Sequence, residues 1–288
     1  MGSEVRDALD AYLSFQLSEL EGSLPLIAAA DQEAVHSARL ALRRLRSVLS
    51  CYKSALPRLS KQTRNDIRWL ARSLGEARDA YVQALRFSLW LDATEEWRSP
   101  GGLHGAVDLL VARSNQLATR AGTGARASEV IRATREGLFA CDEPKGIPVP
   151  DRAAAVVLLQ REWATARQSL LAASTVAPEG DRNELLHRAR KDIKSLRYSV
   201  EAVADVMGSG ATAILQPAMA LQRILGEQHD SVTGIGWVGQ LAGTPGIDDV
   251  DAGELLRMEQ RRLSASEALF RTALLTHPLP EPRIVLLE

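Results

Sequence analysis

One basic motif occurs twice in this chain, and the repetition restricts the fold before any other property does. His36-x2-Arg39-x3-Arg43-x-Leu45-Arg46 returns as His187-x2-Arg190-x3-Lys194-x-Leu196-Arg197, an offset of 151 residues. Leu74-Gly75-Glu76-x2-Asp79 returns at the same offset as Leu225-Gly226-Glu227-x2-Asp230, and Arg72 is matched by Arg223. Two motif pairs in one register point to an internal duplication. The expectation is an all-α chain of two tandem antiparallel helical bundles related by a pseudo-twofold. The first bundle covers 1–141 and the second 151–288. The linker, 142–150, holds Pro144, Pro148 and Pro150, which cannot continue a helix.

Composition supports helices. Aromatic residues make up 5% of the 288, while Ala, Leu and Arg are abundant. These three lose little on entering a helix, whereas strands favour β-branched and aromatic residues. The periodicity predicts helices over 3–22, 32–56, 60–74, 76–96 and 103–140, the last interrupted near Gly122-Thr123-Gly124. The second half predicts 152–175, 182–207, 210–225, 227–241 and 249–276. Gly75 and Gly226 are read as helix breaks, Ser99–Gly102 as a loop and Pro278–Pro282 as a loose tail. Asp181 with Glu184 resembles a capping box. Cys51 and Cys141 read as buried, reduced thiols of a cytosolic protein. The N-terminus lacks the apolar core of a secretory signal, and no run reaches the length of a membrane span.

Net charge is −1, so any affinity for anions must come from distribution. Between His36 and Lys53 stand Arg39, Arg43, Arg44 and Arg46, and no acid. On a helix, His36, Arg39, Arg43 and Arg46 share one face about 80° wide. Val35, Ala38, Leu42, Leu45 and Leu49 lie directly beside it. His187, Arg190, Lys194 and Arg197 repeat the arrangement against Leu186, Ile193, Leu196 and Val200. Lys61, Arg64, Arg68 and Arg72 form a further basic face beside Ile67, Leu70 and Leu74. A solvated helix face is the bland reading. Against it, like charges at these spacings repel, and the stripe is kept in both copies. Phosphate would offset that repulsion, through bidentate Arg contacts and Lys point charges.

His36 and His187 open the stripes. Cations at the neighbouring positions argue against a metal site, which leaves donation to an oxyanion or a structural place in the core. His104 and His277 read as surface residues. His229 stands where the first copy has Arg78, so a donor is kept. Gly75 and Gly226 would place Glu76, Asp79, Glu227 and Asp230 in the first turn of a following helix. In a functional reading, Asp79 and Asp230 hold an Arg or His of the stripe.

These motifs resemble the CHAD domain, the conserved-histidine α-helical domain: H-x2-R-x3-R-x-L-R, a later L-G-x2-R-D, then H-x2-R-K-x2-K-x-L-R-Y. The resemblance spans nearly the whole chain. It implies two helical bundles about a pseudo-twofold, a basic surface or channel between them, and inorganic polyphosphate as partner. The residues it points to are His36, Arg39, Arg43, Arg46, Arg72, Arg78, His187, Arg190, Lys194, Arg197 and Arg223. Arg64 and Arg68 join them from the further basic face, with Asp79 and Asp230 in support. The chain departs from the family pattern at Tyr81 and Val232, where a second acid is absent. No E-x-E-x-K signature of a triphosphate tunnel is present, so hydrolysis is not implied.

The expected function is therefore non-catalytic polyphosphate binding, with no cofactor and no metal, in the cytoplasm or at polyphosphate granules. Two alternatives compete. A nucleic-acid binder would use aromatics to stack bases, and only Tyr52, Trp69, Tyr81 and Tyr198 lie near the motifs. A metal-dependent phosphohydrolase would need an acidic cluster or a phosphate loop that the stripes do not contain. Oligomeric state is left open.

Overall fold

The computed structural model describes residues 3–92, 97–140, 150–175, 182–243 and 246–286. Every regular element among them is a helix: α1 Ser3–Ala28, α2 Gln32–Cys51, α3 Lys61–Leu91, α4 Pro100–Gly122, α5 Ala125–Phe139, α6 Arg152–Thr175, α7 Arg182–Glu201, α8 Ala204–Met207, α9 Ser209–Leu241, α10 Asp249–Thr276 and α11 Pro282–Val285. Helix α1 packs on α2, α3 on α4, α6 on α7 and α9 on α10. The order long helix, 20-residue helix, very long helix, long helix thus appears in each half. The halves meet where α2 packs against α7.

Apolar periodicity explains that meeting. Val35, Ala38, Leu42 and Leu45 of α2 are buried, as are Leu186, Ala189, Ile193 and Leu196 of α7. They join one buried cluster with Leu9, Leu13 and Leu17 of α1 and Ile214, Leu221 and Leu225 of α9. Each fully buried Leu or Ile stabilises by about 1.5–3 kcal/mol. The core therefore runs through both halves. Tyr52, just past α2, is fully buried and donates its hydroxyl to the Ser199 carbonyl, 2.9 Å away. A smaller apolar cluster joins Phe87, Trp90 and Leu110 to Val238 and Leu255. Beside it Arg86 forks onto Glu259 with two contacts of 2.6 Å and donates to Ser231.

Several boundaries differ from the sequence expectation. Gly75 and Gly226 break nothing: α3 and α9 run straight through them. A helical Gly costs about 1 kcal/mol, which the buried Leu70, Leu74 and Ala77 around Gly75 outweigh. Glu76, Asp79, Glu227 and Asp230 consequently lie in mid-helix, away from any N-terminal dipole. Helix α1 continues past residue 22 through Pro25, carrying Ile27 into the core. Helix α2 stops at Cys51, because Tyr52 turns inward to reach Ser199. The 182–207 stretch divides into α7 and α8, and α4 already begins at Pro100, with Ser99 held by Asp251. The 278–282 stretch is not loose: Trp163 donates to the Leu279 carbonyl at 3.2 Å and Gln160 to Glu281 at 2.8 Å. The interruption at 122–124 is present, between α4 and α5. Cys51 is a buried free thiol, and burial pushes its pKa up to about 12. Cys141, Asp181 and 142–149 of the linker lie outside the described residues.

The two kinds of helical glycine separate by substitution. A Cβ on Gly226 meets nothing within 4 Å, whereas one on Gly234 falls 2.3 Å from Glu259 Oε1. Gly226→Ala should therefore raise stability by up to about 1 kcal/mol, and Gly234→Ala should lower it by disturbing the buried Arg86–Glu259 pair. Thermal denaturation of both variants checks this. Destabilisation by Gly226→Ala would reinstate the helix break.

Candidate polyanion site at the α2–α7 crossing

The basic stripes border the apolar faces that α2 and α7 bury against each other, so the crossing brings them together. Arg43 feels the charges of Arg39 and Arg190, and Lys194 those of Arg190, Arg43 and Arg39. Arg39 reaches Asp79 of α3 at 2.7 Å. Arg190 reaches Asp230 of α9 more loosely, at 3.9 Å. Each mid-helix acid therefore steadies one arginine of the neighbouring stripe, as the functional reading of the L-G-E-x-x-D motif expects. Arg43 and Lys194 make no ion pair among the described residues. Four basic side chains thus face two acids where the halves touch.

The cluster shows its own repulsion. Burial, reinforced by Arg39 and Arg190, pushes Arg43 down to about 10. Burial, with Arg190, Arg43 and Arg39, pushes Lys194 down to about 6. Burial raises Asp230 despite the opposing pull of Arg190. At neutral pH the Lys194 amine is therefore largely neutral in the free protein.

His187 and His229 stack with ring centroids 4.6 Å apart and Nδ1 atoms 3.2 Å apart. One Nδ1 must donate and the other accept, so the pair shares a single proton on that side. Burial and the nearby cations lower both pKa values, His229 to about 3. His36 lies at the surface beside Arg78 and Glu33, and its partial desolvation and then Arg78 lower its pKa. A place in the hydrophobic core is thus ruled out for His36.

The remaining predicted residues are distributed around this centre. Arg72 is exposed on the Asp79 face of α3, and Arg223 is exposed on the corresponding part of α9. Arg78 lies over the Tyr81 ring at 5.4 Å. Arg197 pairs with Glu201 at 3.0 Å and lies over Tyr198, which withdraws it from the cluster. Glu201 also accepts from Tyr12 and lies 3.4 Å from Arg44, tying α1, α2 and α7 together. Arg46, Arg64 and Arg68 line a separate cavity further along α2. Sequence reasoning missed the partnership of His229 with His187, although the repeat alignment had already marked His229 as a retained donor. It also missed Glu201, which has Ser50 as its counterpart.

Among the described residues no group of His, Cys, Asp and Glu is placed to hold a metal ion. None of the described helices is long and apolar enough to cross a membrane.

Comparison with known proteins agrees with this architecture. The family model for the CHAD domain matches residues 11–239. The chain belongs to the CHAD domain family. Two uncharacterized proteins of Mycobacterium tuberculosis, from strains CDC 1551 / Oshkosh and ATCC 25618 / H37Rv, are each 31% identical over 211 residues. The match covers 69% of this chain but spans only 39% of those relatives. The crystal structure of the CHAD domain from the plant Ricinus communis superposes with a TM-score of 0.71 at 21% identity, covering 96% of this chain and 92% of that one. PptA from Streptomyces chartreusis superposes with a TM-score of 0.71 at 18% identity, covering 93% and 98%. At these identities the superpositions establish the fold, and the CHAD fold is all-α.

Lys194 offers a test of the geometry. Its pKa is about 6 in the folded chain against 10.5 for an ordinary lysine. Between those values the unfolded state binds more protons, so this residue makes stability rise with pH from about 6 towards 10. Lys194→Met should remove that slope and raise the melting temperature at pH 6. A gain of about 1 kcal/mol corresponds to roughly 2–4 °C. Melting curves across this pH range decide it, and a Lys194→Met protein that melts lower with an unchanged slope would contradict the buried-cation assignment.

Proposed function

We propose that this CHAD domain binds inorganic polyphosphate across the α2–α7 crossing and does not hydrolyse it. The observation that supports the reading is the convergence of two basic stripes, one from each half, with Arg43 and Lys194 in no ion pair among the described residues. A linear polyanion offers regularly spaced oxygens that such an array neutralises without reading bases. Some members of the family are associated with polyphosphate. His36, His187, Arg72, Arg78 and Arg223 would extend the contact on either side. On this reading the protein works where polyphosphate accumulates, in the cytoplasm or at its granules.

The aromatics near the motifs disfavour nucleic acid. Tyr52 and Tyr198 are buried. Trp69 is covered by Arg126, 4.0 Å from its ring centre, and Tyr81 by Arg78. These rings offer single-stranded bases no open platform for stacking.

Binding should be salt-dependent and coupled to protons. By analogy with nucleic acids, log K falls by about 0.7–0.9 per log unit of salt for each phosphate neutralised. Arg39, Arg43, Arg190 and Lys194 alone then predict a slope of about −3 or steeper. A bound polyanion restores the charge of Lys194, so complex formation at pH 7.5 should take up a proton and weaken as pH rises from about 6 towards 9. Calorimetry in two buffers of unlike ionisation enthalpy measures the uptake. Lys194→Arg should keep the affinity and reduce the uptake, and Arg43→Ala should weaken binding about 10- to 100-fold. A salt-independent affinity, or equal heats in both buffers, would refute the mechanism.

A further inference from the structure

A cavity of about 640 Å³ opens between the end of α2, the turn that follows and the start of α3. Its lining includes Arg46, Lys53, Arg58, Arg64 and Arg68 and no carboxylate. Leu49, Leu56 and Ile67 supply apolar wall. Among the described residues none of the five cations makes an ion pair. Arg64 donates one guanidinium NH to the Leu59 carbonyl at 2.7 Å, and Arg68 one to Asn65 at 2.8 Å. Each keeps further donors free. Burial and then Arg68 lower the pKa of Arg46, so the group is already short of counter-charge.

The second half of the chain shows that the fold does not require this cavity to be cationic. At the repeat offset Lys53 is replaced by Ala204, Arg58 by Ser209, Arg64 by Leu215 and Arg68 by Met219. Only Arg46 is kept, as Arg197. One turn later Ser50 is replaced by Glu201, which closes on Arg197 at 3.0 Å. The copy thus neutralises the arginine that the first half leaves open.

We propose that this cavity is a second phosphate site, present in one half only, which takes the end segment of the polyphosphate chain held at the α2–α7 crossing. The identity of the ligand rests on the polyphosphate reading above. Continuity follows from α2: Arg43 belongs to the central cluster and Arg46 to the cavity, and three residues of helix advance about 4.5 Å. The bound chain therefore lies asymmetrically, extended towards the first half. A chain long enough to fill both places gains the avidity of linked contacts, which a short chain does not.

The test compares long-chain polyphosphate with tripolyphosphate on the whole protein by calorimetry. Two variants leave the α2–α7 cluster intact: Ser50→Glu, which installs the acid found in the second copy, and Lys53→Gln with Arg58→Gln, both on exposed side chains. Each should weaken long-chain binding about tenfold or more and reduce the number of tripolyphosphates bound per chain. Ser50→Glu should also raise the melting temperature, which shows that the loss is not unfolding. Long-chain affinity equal to that of the parent in both variants would overturn the proposal, as would tripolyphosphate binding in the cavity that leaves long-chain affinity untouched. If Arg43→Ala weakens long-chain binding and these variants do not, only the second site fails. A parent protein that binds neither ligand would instead defeat the polyphosphate reading and the second site with it.

Discussion

Helices α2 and α7 bury apolar faces against each other while their adjoining cationic edges are forced into proximity, and the architecture around them manages that conflict. The apolar side wins on magnitude. Val35, Leu42, Leu45, Leu186, Ile193 and Leu196 are all essentially inaccessible, at about 1.5–3 kcal/mol for each large side chain. The repulsion is reduced in three ways. Asp79 and Asp230 are placed in mid-helix on α3 and α9 to meet Arg39 and Arg190. Lys194 gives up its proton near pH 6. Glu201 draws Arg197 and Arg44 away from the centre.

Much of this was legible from the sequence, for a physical reason. Helical periodicity is local, so the buried faces of α2, α7 and α3 follow from the spacing of Leu42, Leu45, Ile193 and Leu74. The position of the basic stripe beside the apolar face is equally local. What periodicity cannot show is which helices cross. That Arg43 meets Arg190, or His187 meets His229, depends on how α2, α7 and α9 pack in space. The Gly75 and Gly226 positions were misread for an energetic reason: a glycine weakens a helix by less than a row of buried neighbours strengthens it. The same local view leaves Arg64 and Arg68 on a basic face of their own, whereas in space they line an open cavity together with Arg46 of the stripe.

The two halves of the chain share some features and differ in others. Positions that build the shared core stay apolar in both. Positions at the crossing stay basic residues, although His229, which stands where the first half has Arg78, is neutral. Away from the crossing the copies part company: the first keeps an open cationic cavity, while the second places Leu215, Met219 and Glu201 there. A similar order of helices in the two halves is thereby compatible with unlike surfaces.

The continuous core has a consequence for the chain's life outside a binding assay. Neither half alone can assemble the cluster, because Arg39 and Arg43 come from one and Arg190 and Lys194 from the other. A ligand that recognises this arrangement binds the native state and ignores the unfolded one, and such a ligand adds its binding free energy to folding. On the proposed reading, abundant polyanion would protect the protein from unfolding and proteolysis, and scarcity would remove that protection. Such a fold would link the survival of the molecule to the supply of the ligand proposed for it.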